Sequence, residues 1–363
     1  MANLTQANLE TTVLYPERVL RRKLPLNLRQ AELELFNSDL EQVIPQSKLL
    51  VMHDVWASSE GLLFKVGRIL PESFAAPFLL DNWKTRSRLK FLAHNYLIKK
   101  RRTIEQAAAW IVDDWSGGYY HWFVDTLPRL FSIRERMKDL VLLLPHQYEG
   151  LEFVHASLKP FALHSVEFIG KNEVYFCRKL IVPMHTAPSG AHDEEIVRRL
   201  RDLLVNSYGV RSGERSERIY ISRARARKRR IVNEEQVIEV LHEFGFRIVL
   251  AEELSSAEQV QACSSARYLV SNHGAGLTNM LFLPAGSNVL ELRNKNDREY
   301  NCYFNLASAL ALNYFYQTCE TNRPEEGAHT ADLIVDTQRL RENIQLMLNS
   351  HQNSDQPVFV SRP

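Results

Sequence analysis

Residues 267–279 read RYLVSNHGAGLTN: an apolar run, a turn with two glycines, and the opening of a helix. RYLVSN at 267–272 has the short, continuous apolar character of a strand buried in a parallel sheet. Gly274 and Gly276 let the backbone approach a ligand closely, and a helix expected over Leu277–Leu283 stops before Pro284. The first amides of such a helix face an anion without intrahelical acceptors, so the turn has the physical form of a diphosphate site. His273 adds a side chain able to hydrogen-bond a phosphate, and Ala275 and Asn279 belong to the same turn and helix. A tight turn without a ligand uses the same residues, so a second anion-suited feature is needed.

That feature lies upstream. RIYISR at 218–223 reads as a strand and runs into SRARARKRR at 222–230, five arginines and one lysine. Arginine forks bind phosphate oxygens in pairs, which makes Arg223 and Arg230 candidates for the same diphosphate. A solvated basic face is the plain alternative. Nucleic acid is disfavoured, because the run has no interleaved aromatics and the whole chain carries only +2 net charge. Between and beyond these motifs, Asn233 is placed to cap a helix to Phe244, RIVLAE at 247–252 is a strand, a helix follows over 256–266, and SNVLEL at 287–292 is a further strand. Strand and helix alternate, so a parallel doubly wound sheet is expected, with ligands at its carboxyl edge. Glu291 falls on that edge as a candidate ribose ligand. Helices are expected over 300–312 and 331–348.

The first half is less regular. Residues 1–45 read as an N-terminal arm without a clear partner face, and Lys48–Leu70 as a β-hairpin about Ser58-Ser59-Glu60-Gly61. AAAWIVD at 107–113, VLLLP at 141–145, SVEFI at 165–169 and RKLIVP at 178–183 read as strands. Helices are expected near 150–160 and over Asp193–Tyr208, the latter closed by Gly209. A helical stretch from Tyr119 to about Met137 contains Pro128, which should kink or restart it. Within it, His121 and Asp125 are four residues apart and share a face, as an Asp-oriented histidine base or with Asp125 itself as the base. Tyr120, Trp122 and Arg129 flank the pair as candidate acceptor or cleft residues, and an ordinary surface pair beside an apolar core is the competing reading. The polar stretch 209–217 reads as a linker.

With 363 residues, two domains are expected. The four cysteines are scattered without a Cys-x-x-Cys pair, which argues against a disulfide framework and a structural zinc. No apolar run approaches the ~20 residues of a membrane span. The N-terminus lacks a signal layout, and a cytoplasmic protein is expected. The basic stretch from Arg18 to Leu24 allows peripheral association with the inner face of a membrane but is a weak signal for it.

Three segments in order, GGYYHWFVDTLPRL, RIYISRARARKRRIVNE and SARYLVSNHGAGLTNMLFLPAGSNVLEL, strongly resemble glycosyltransferase family 61, over roughly residues 107–295. The resemblance implies an α/β, GT-B-like architecture of two Rossmann-like domains facing across a cleft, and inverting transfer from a nucleotide sugar at a site shared between them. The family's HWxxDxLPR element falls on His121, Trp122, Asp125, Leu127, Pro128 and Arg129. Its SR…R…NE element falls on Ser222, Arg223, Arg230, Asn233 and Glu234, and its HGAGLTN element on His273–Asn279. The domain plan is then an acceptor-side domain over 46–208, a nucleotide-sugar domain over 218–320 and an extension over 321–363. Expected partners are a nucleotide sugar, a UDP-sugar first among them, and a glycan or lipid-linked acceptor in surface or capsular polysaccharide synthesis. No Asp-x-Asp triad is present, so a metal-independent reaction is expected, with arginines and helix dipole neutralising the leaving group. A dinucleotide-dependent oxidoreductase fits less well, because Asn279 stands where the third glycine of G-x-G-x-x-G belongs. A non-catalytic nucleotide- or sugar-binding protein of the same fold is the other reading.

Overall fold

The computed structural model describes residues 9–76, 78–209, 216–323, 325, 327 and 330–350. It divides into two compact units: Met1–Val19 with Val43–Ser207, and Leu20–Gln42 with Tyr208–Pro363. Residues 210–215 of the expected linker lie outside the described residues.

The second unit holds a six-stranded sheet. Its first five strands along the chain are Glu217–Ser222, Arg247–Leu250, Ala266–Asn272, Asn288–Asn294 and Asn313–Thr321. They pair in parallel in the order second, first, third, fourth, fifth, and Leu333–Ile334 closes the edge antiparallel. In a doubly wound sheet of this order, the chain turns opposite ways after the first and third strands and leaves a crevice at their carboxyl ends. Helices Glu234–Glu243 and Thr337–Asn349 bury Val237, Val240, Leu241, Leu340, Ile344 and Met347 against Val270, Leu290 and Phe315. The expected cap by Asn233 is replaced: its side chain bonds Gln236 and Val335, tying the helix start to the edge strand.

The expectation of an unpartnered arm over 1–45 is corrected. Leu9–Tyr15 forms a strand antiparallel to Ser47–Ser58 in the first unit, and Leu20–Gln42 packs into the second. Phe36 is fully buried between Phe304 and Tyr316, with both ring centroids 4.9 Å away. Such burial of an aromatic ring stabilises by roughly 2–3 kcal/mol, and the arm supplies it from a distant part of the sequence.

The first unit is a nine-stranded mixed sheet. Val141–Pro145, Ser165–Ile169 and Ala108–Ala109 run parallel to their neighbours, while Ser47–Ser58, Leu63–Lys65 and Arg68–Ile69 form the antiparallel meander expected around Ser58–Gly61. A purely parallel Rossmann-like sheet is therefore not found here. The expected strand 107–113 shortens to Ala108–Ala109; Trp110 still donates its N–H to Ile181 O, and Ile111 and Val112 continue as buried, non-strand chain to Asp113.

Candidate functional site

In the second unit the two anion-suited motifs meet. Arg223 follows the first strand and His273–Gly274 follow the third, which are neighbours paired at Ile221↔Ser271. Gly274 is extended, so its backbone would accept any residue, but its missing side chain has a spatial role. A Cβ there would stand 2.5 Å from Arg223 Nη1 and 2.6 Å from Cζ, so the guanidinium lies directly on the glycine. The helix expected from Leu277 is a 3-10 helix over Ala275–Phe282, and its leading amides belong to Ala275 and Gly276. Tyr303 donates to Gly274 O at 2.6 Å and fixes the turn.

The basic loop divides into paired and unpaired arginines. Arg225 pairs with Glu253, and Arg230 lies 3.6 Å from Asp332, which also accepts its backbone N–H. Arg230, expected on the diphosphate, is thus drawn toward Asp332, with its side chain half exposed. Arg223 and Arg229 have no carboxylate within ion-pair distance among the described residues, and the Nε of each is buried without a hydrogen-bond partner. Burial, and next the charge of Arg229, push the Arg223 pKa below its ordinary value. Two like charges side by side, each partly withdrawn from solvent, are unfavourable unless an anion joins them. Arg229 is held at φ 58°, in the left-handed region costly to a residue with a side chain, while Asn272 donates to its carbonyl.

His273 and Glu291 sit deeper. His273 Nδ1 bonds Glu291 Oε1 at 2.5 Å, and Tyr314 donates to the other carboxylate oxygen. Burial alone would raise the Glu291 pKa, but His273, Arg293 and Tyr314 together bring it below the ordinary value. The ribose role expected for Glu291 is corrected, since both oxygens are taken and the side chain is fully buried. Asn279 is buried as well and donates to Gln259, so it supports the turn from beneath.

In the first unit, Tyr119–His121 is α-helical, Trp122–Thr126 is a π-turn and Leu127–Ser132 is α-helical again. Leu127 N–H reaches back five residues to Trp122 O, and Pro128 has no N–H to offer the next carbonyl, so the widened turn absorbs the proline. His121 Nδ1 lies 2.7 Å from Asp125 Oδ2, and Ser189 donates to the same oxygen at 2.7 Å. Asp125 is buried, whereas the His121 side chain is 31% exposed. Trp115, partly exposed, sets its ring 5.2 Å from the imidazole, and Tyr120 bonds His192 at 3.2 Å.

Trp122 and Arg129 are corrected as cleft residues, because both are buried. Trp122 donates to Ser157, and Arg129 donates to Pro183 O and pairs with Asp113 at 3.1 Å. Asp113 also bonds His185 at 2.7 Å and accepts from Trp115 N–H and Ser116. Burial would raise its pKa, but His185, Arg129 and the Trp115 amide hold it well below the carboxylate range. The sequence offered no signal for Asp113, Ser189 or His185. Only the helical spacing of His121 and Asp125 was visible.

These features define an α/β protein with a cationic, amide-rich site at the crevice of a doubly wound sheet and a separate histidine–carboxylate pair. Residues 119–290 match the family model described as Glycosyltransferase 61, so this stretch is glycosyltransferase family 61 sequence. The chain is similar to the EGF domain-specific O-linked N-acetylglucosamine transferase of Drosophila melanogaster, 33% identical over 30% of this chain and 23% of the fly protein. A beta-1,2-xylosyltransferase of Oryza sativa is 34% identical over 33% of this chain and 22% of the rice protein. The protein O-linked-mannose beta-1,4-N-acetylglucosaminyltransferase 2 of Canis lupus familiaris is 25% identical over 71% of this chain and 45% of the dog protein. The chain therefore spans less than half the length of these relatives, and the similarity supports glycosyltransferase chemistry.

Proposed function

We propose that the protein is an inverting glycosyltransferase of GT-B type that moves a sugar from a nucleotide sugar, a UDP-sugar first among candidates, to a hydroxyl of a glycan or lipid-linked acceptor. The observation that carries this reading is the pair Arg223 and Arg229, half-buried with each Nε sealed and unbonded and with no carboxylate partner among the described residues, Arg223 lying directly on Gly274 at the sheet's crevice. A diphosphate supplies the missing negative charge, and oxygens accept from the open guanidinium N–H groups. The amides of Ala275 and Gly276 add donors from the helix start. In the reaction the acceptor oxygen attacks the anomeric carbon, the bond from that carbon to the diphosphate oxygen breaks, and configuration inverts. Charge growing on the leaving group is met by Arg223, Arg229 and the turn, so no metal is required.

The acceptor proton goes to His121. Its Nδ1 is engaged by Asp125, so Nε2 is the ring nitrogen left to take a proton, while Asp125 fixes the tautomer. Trp115 offers a stacking face for a sugar ring. A panel of UDP-, GDP-, CMP- and TDP-sugars, with thermal shift as binding readout and product mass as transfer readout, tests the proposal. The expected result is stabilisation by one nucleotide class and sugar transfer undiminished by EDTA. Stabilisation by none of them, or by a nicotinamide dinucleotide instead, overturns it. Nucleotide binding without transfer or donor hydrolysis favours the non-catalytic reading.

A further inference from the structure

The helix Thr85–Leu97 of the first unit is buried along one side and carries exposed apolar residues elsewhere on its surface. One side carries Phe91, Leu92 and Tyr96 into a cluster with Phe64, Phe74 and Trp83. The remainder is exposed: Leu89 is 62% and Leu97 77% open to solvent, and Ile98, the residue that ends the helix, 72%. Arg86, Leu89, Lys90, Ala93 and Leu97 recur at three- and four-residue steps, so cations and large apolar side chains share the outer stripe. Val66, also largely exposed, stands at the hairpin tip whose Gly67 N–H reaches Tyr96 of the same helix.

Charge is concentrated around this stripe. From Trp83 to Ile104 the sequence has eight lysines and arginines and no aspartate or glutamate, in a chain whose net charge is only +2. Lys99, Lys100 and Arg102 are held by Glu60 and Glu173, and Arg88 caps carbonyls of Leu80 and Trp83. Lys84, Arg86 and Lys90 are exposed and have no acidic partner among the described residues. The basic stretch Arg18–Leu24, by contrast, is engaged: Arg18 pairs with Asp193, Arg21 with Glu41, and Arg22 donates to Asp39 O.

We infer that this outer face of Thr85–Leu97, with the Val66 tip beside it, is a docking surface for an anionic lipid bilayer. Unpaired cations draw the helix to the headgroups, and Leu89, Leu97 and Ile98 enter the boundary between headgroups and acyl chains. Helices that lie in the membrane plane combine these two elements. A soluble polyanion would use the cations and leave the apolar residues idle. A protein partner would not need an uncompensated positive charge.

Co-sedimentation of the full chain with vesicles of phosphatidylglycerol and phosphatidylcholine, against phosphatidylcholine alone, tests the inference. Binding is expected only with the anionic lipid. Lys84→Gln/Arg86→Gln/Lys90→Gln should weaken it by roughly a hundredfold. Leu97→Ser/Ile98→Ser, which leaves charge unchanged, should weaken it at least several-fold. The altered residues are exposed, so the melting temperature should stay near wild type and show that both variants fold. Absence of vesicle binding by the wild type overturns the inference. So does loss confined to the cation variant, which marks a polyanion site, or a dimer dissolved by Leu97→Ser/Ile98→Ser without any vesicle binding, which marks a second copy on this face.

Discussion

Two of the histidine–carboxylate pairs in the molecule are alike in bonding and opposite in setting. His121 and Asp125 meet at 2.7 Å with the imidazole 31% exposed, while His273 and Glu291 meet at 2.5 Å with the imidazole 9% exposed. The second oxygen of Glu291 is closed by Tyr314, and the His273 ring stacks edge-on against Tyr303 at 4.9 Å. An imidazole that reaches solvent can exchange a proton with a ligand. One sealed among aromatic rings fixes the geometry of the turn that follows it. In the proposed reaction a histidine with a carboxylate thus serves proton transfer in one unit and shape in the other, and burial is what separates the two settings.

Mutation of each pair probes that distinction. His121→Ala should lower kcat by about 10²–10⁴-fold with donor affinity unchanged, the range for a general base. Steady-state transfer assays would show it, and a near-normal rate would remove the catalytic reading of the exposed pair. Asp125→Asn should cost less, on the order of tenfold or more, because the imidazole keeps its place but loses its orienting charge. Glu291→Gln should act on stability before chemistry, by roughly 1.5–3 kcal/mol for a buried charged hydrogen bond, seen as a lower denaturation midpoint. The Glu291 pKa is depressed in the folded state, so its stabilising contribution is present above the unfolded carboxylate pKa and is lost as pH falls through the folded value. Glu291→Gln should therefore flatten the acid limb of the stability curve, and an unchanged limb would contradict the sealed network. Smallest, Ser189→Ala should reduce kcat by a few-fold, as one of two donors to Asp125 is lost. An effect as large as that of His121→Ala would instead put Ser189 at the reacting atoms.

Much of the second unit was legible because its signals are local. A strand, a glycine turn and a helix follow one another within RYLVSNHGAGLTN, and the other three strands read at 218–223, 247–252 and 287–292 appear within two residues of those bounds, whereas Asn313–Thr321 was not read as a strand. The meeting of Arg223 with Gly274 follows from the strand order, since residues just after two neighbouring parallel strands share an edge. Placement on an edge did not reveal depth. Glu291 and Asn279 lie at the same edge yet are buried, and the sequence has no period that marks this. The Asp113 network was invisible because its partners Arg129, Ser116 and His185 come from three separate segments. The arm 20–42 was illegible for a related reason: its anchor Phe36 packs against residues more than 260 positions away. Pro128 announced a disturbed helix, but the π-turn that answers it depends on the packing around Trp122 and Asp125.

Half-buried arginines are the proposed seat of a diphosphate, and calorimetric titration of UDP into the wild type, Arg223→Ala and Arg225→Ala tests this most directly. Arg223 is half-buried, with its Nε sealed and no carboxylate partner among the described residues, and Arg225 is exposed beside Glu253. Loss of a charged hydrogen bond is worth about 1.5–3 kcal/mol, so Arg223→Ala should raise Kd by roughly 10–150-fold and Arg225→Ala by less than about threefold. Equal affinities in all three proteins would contradict the account.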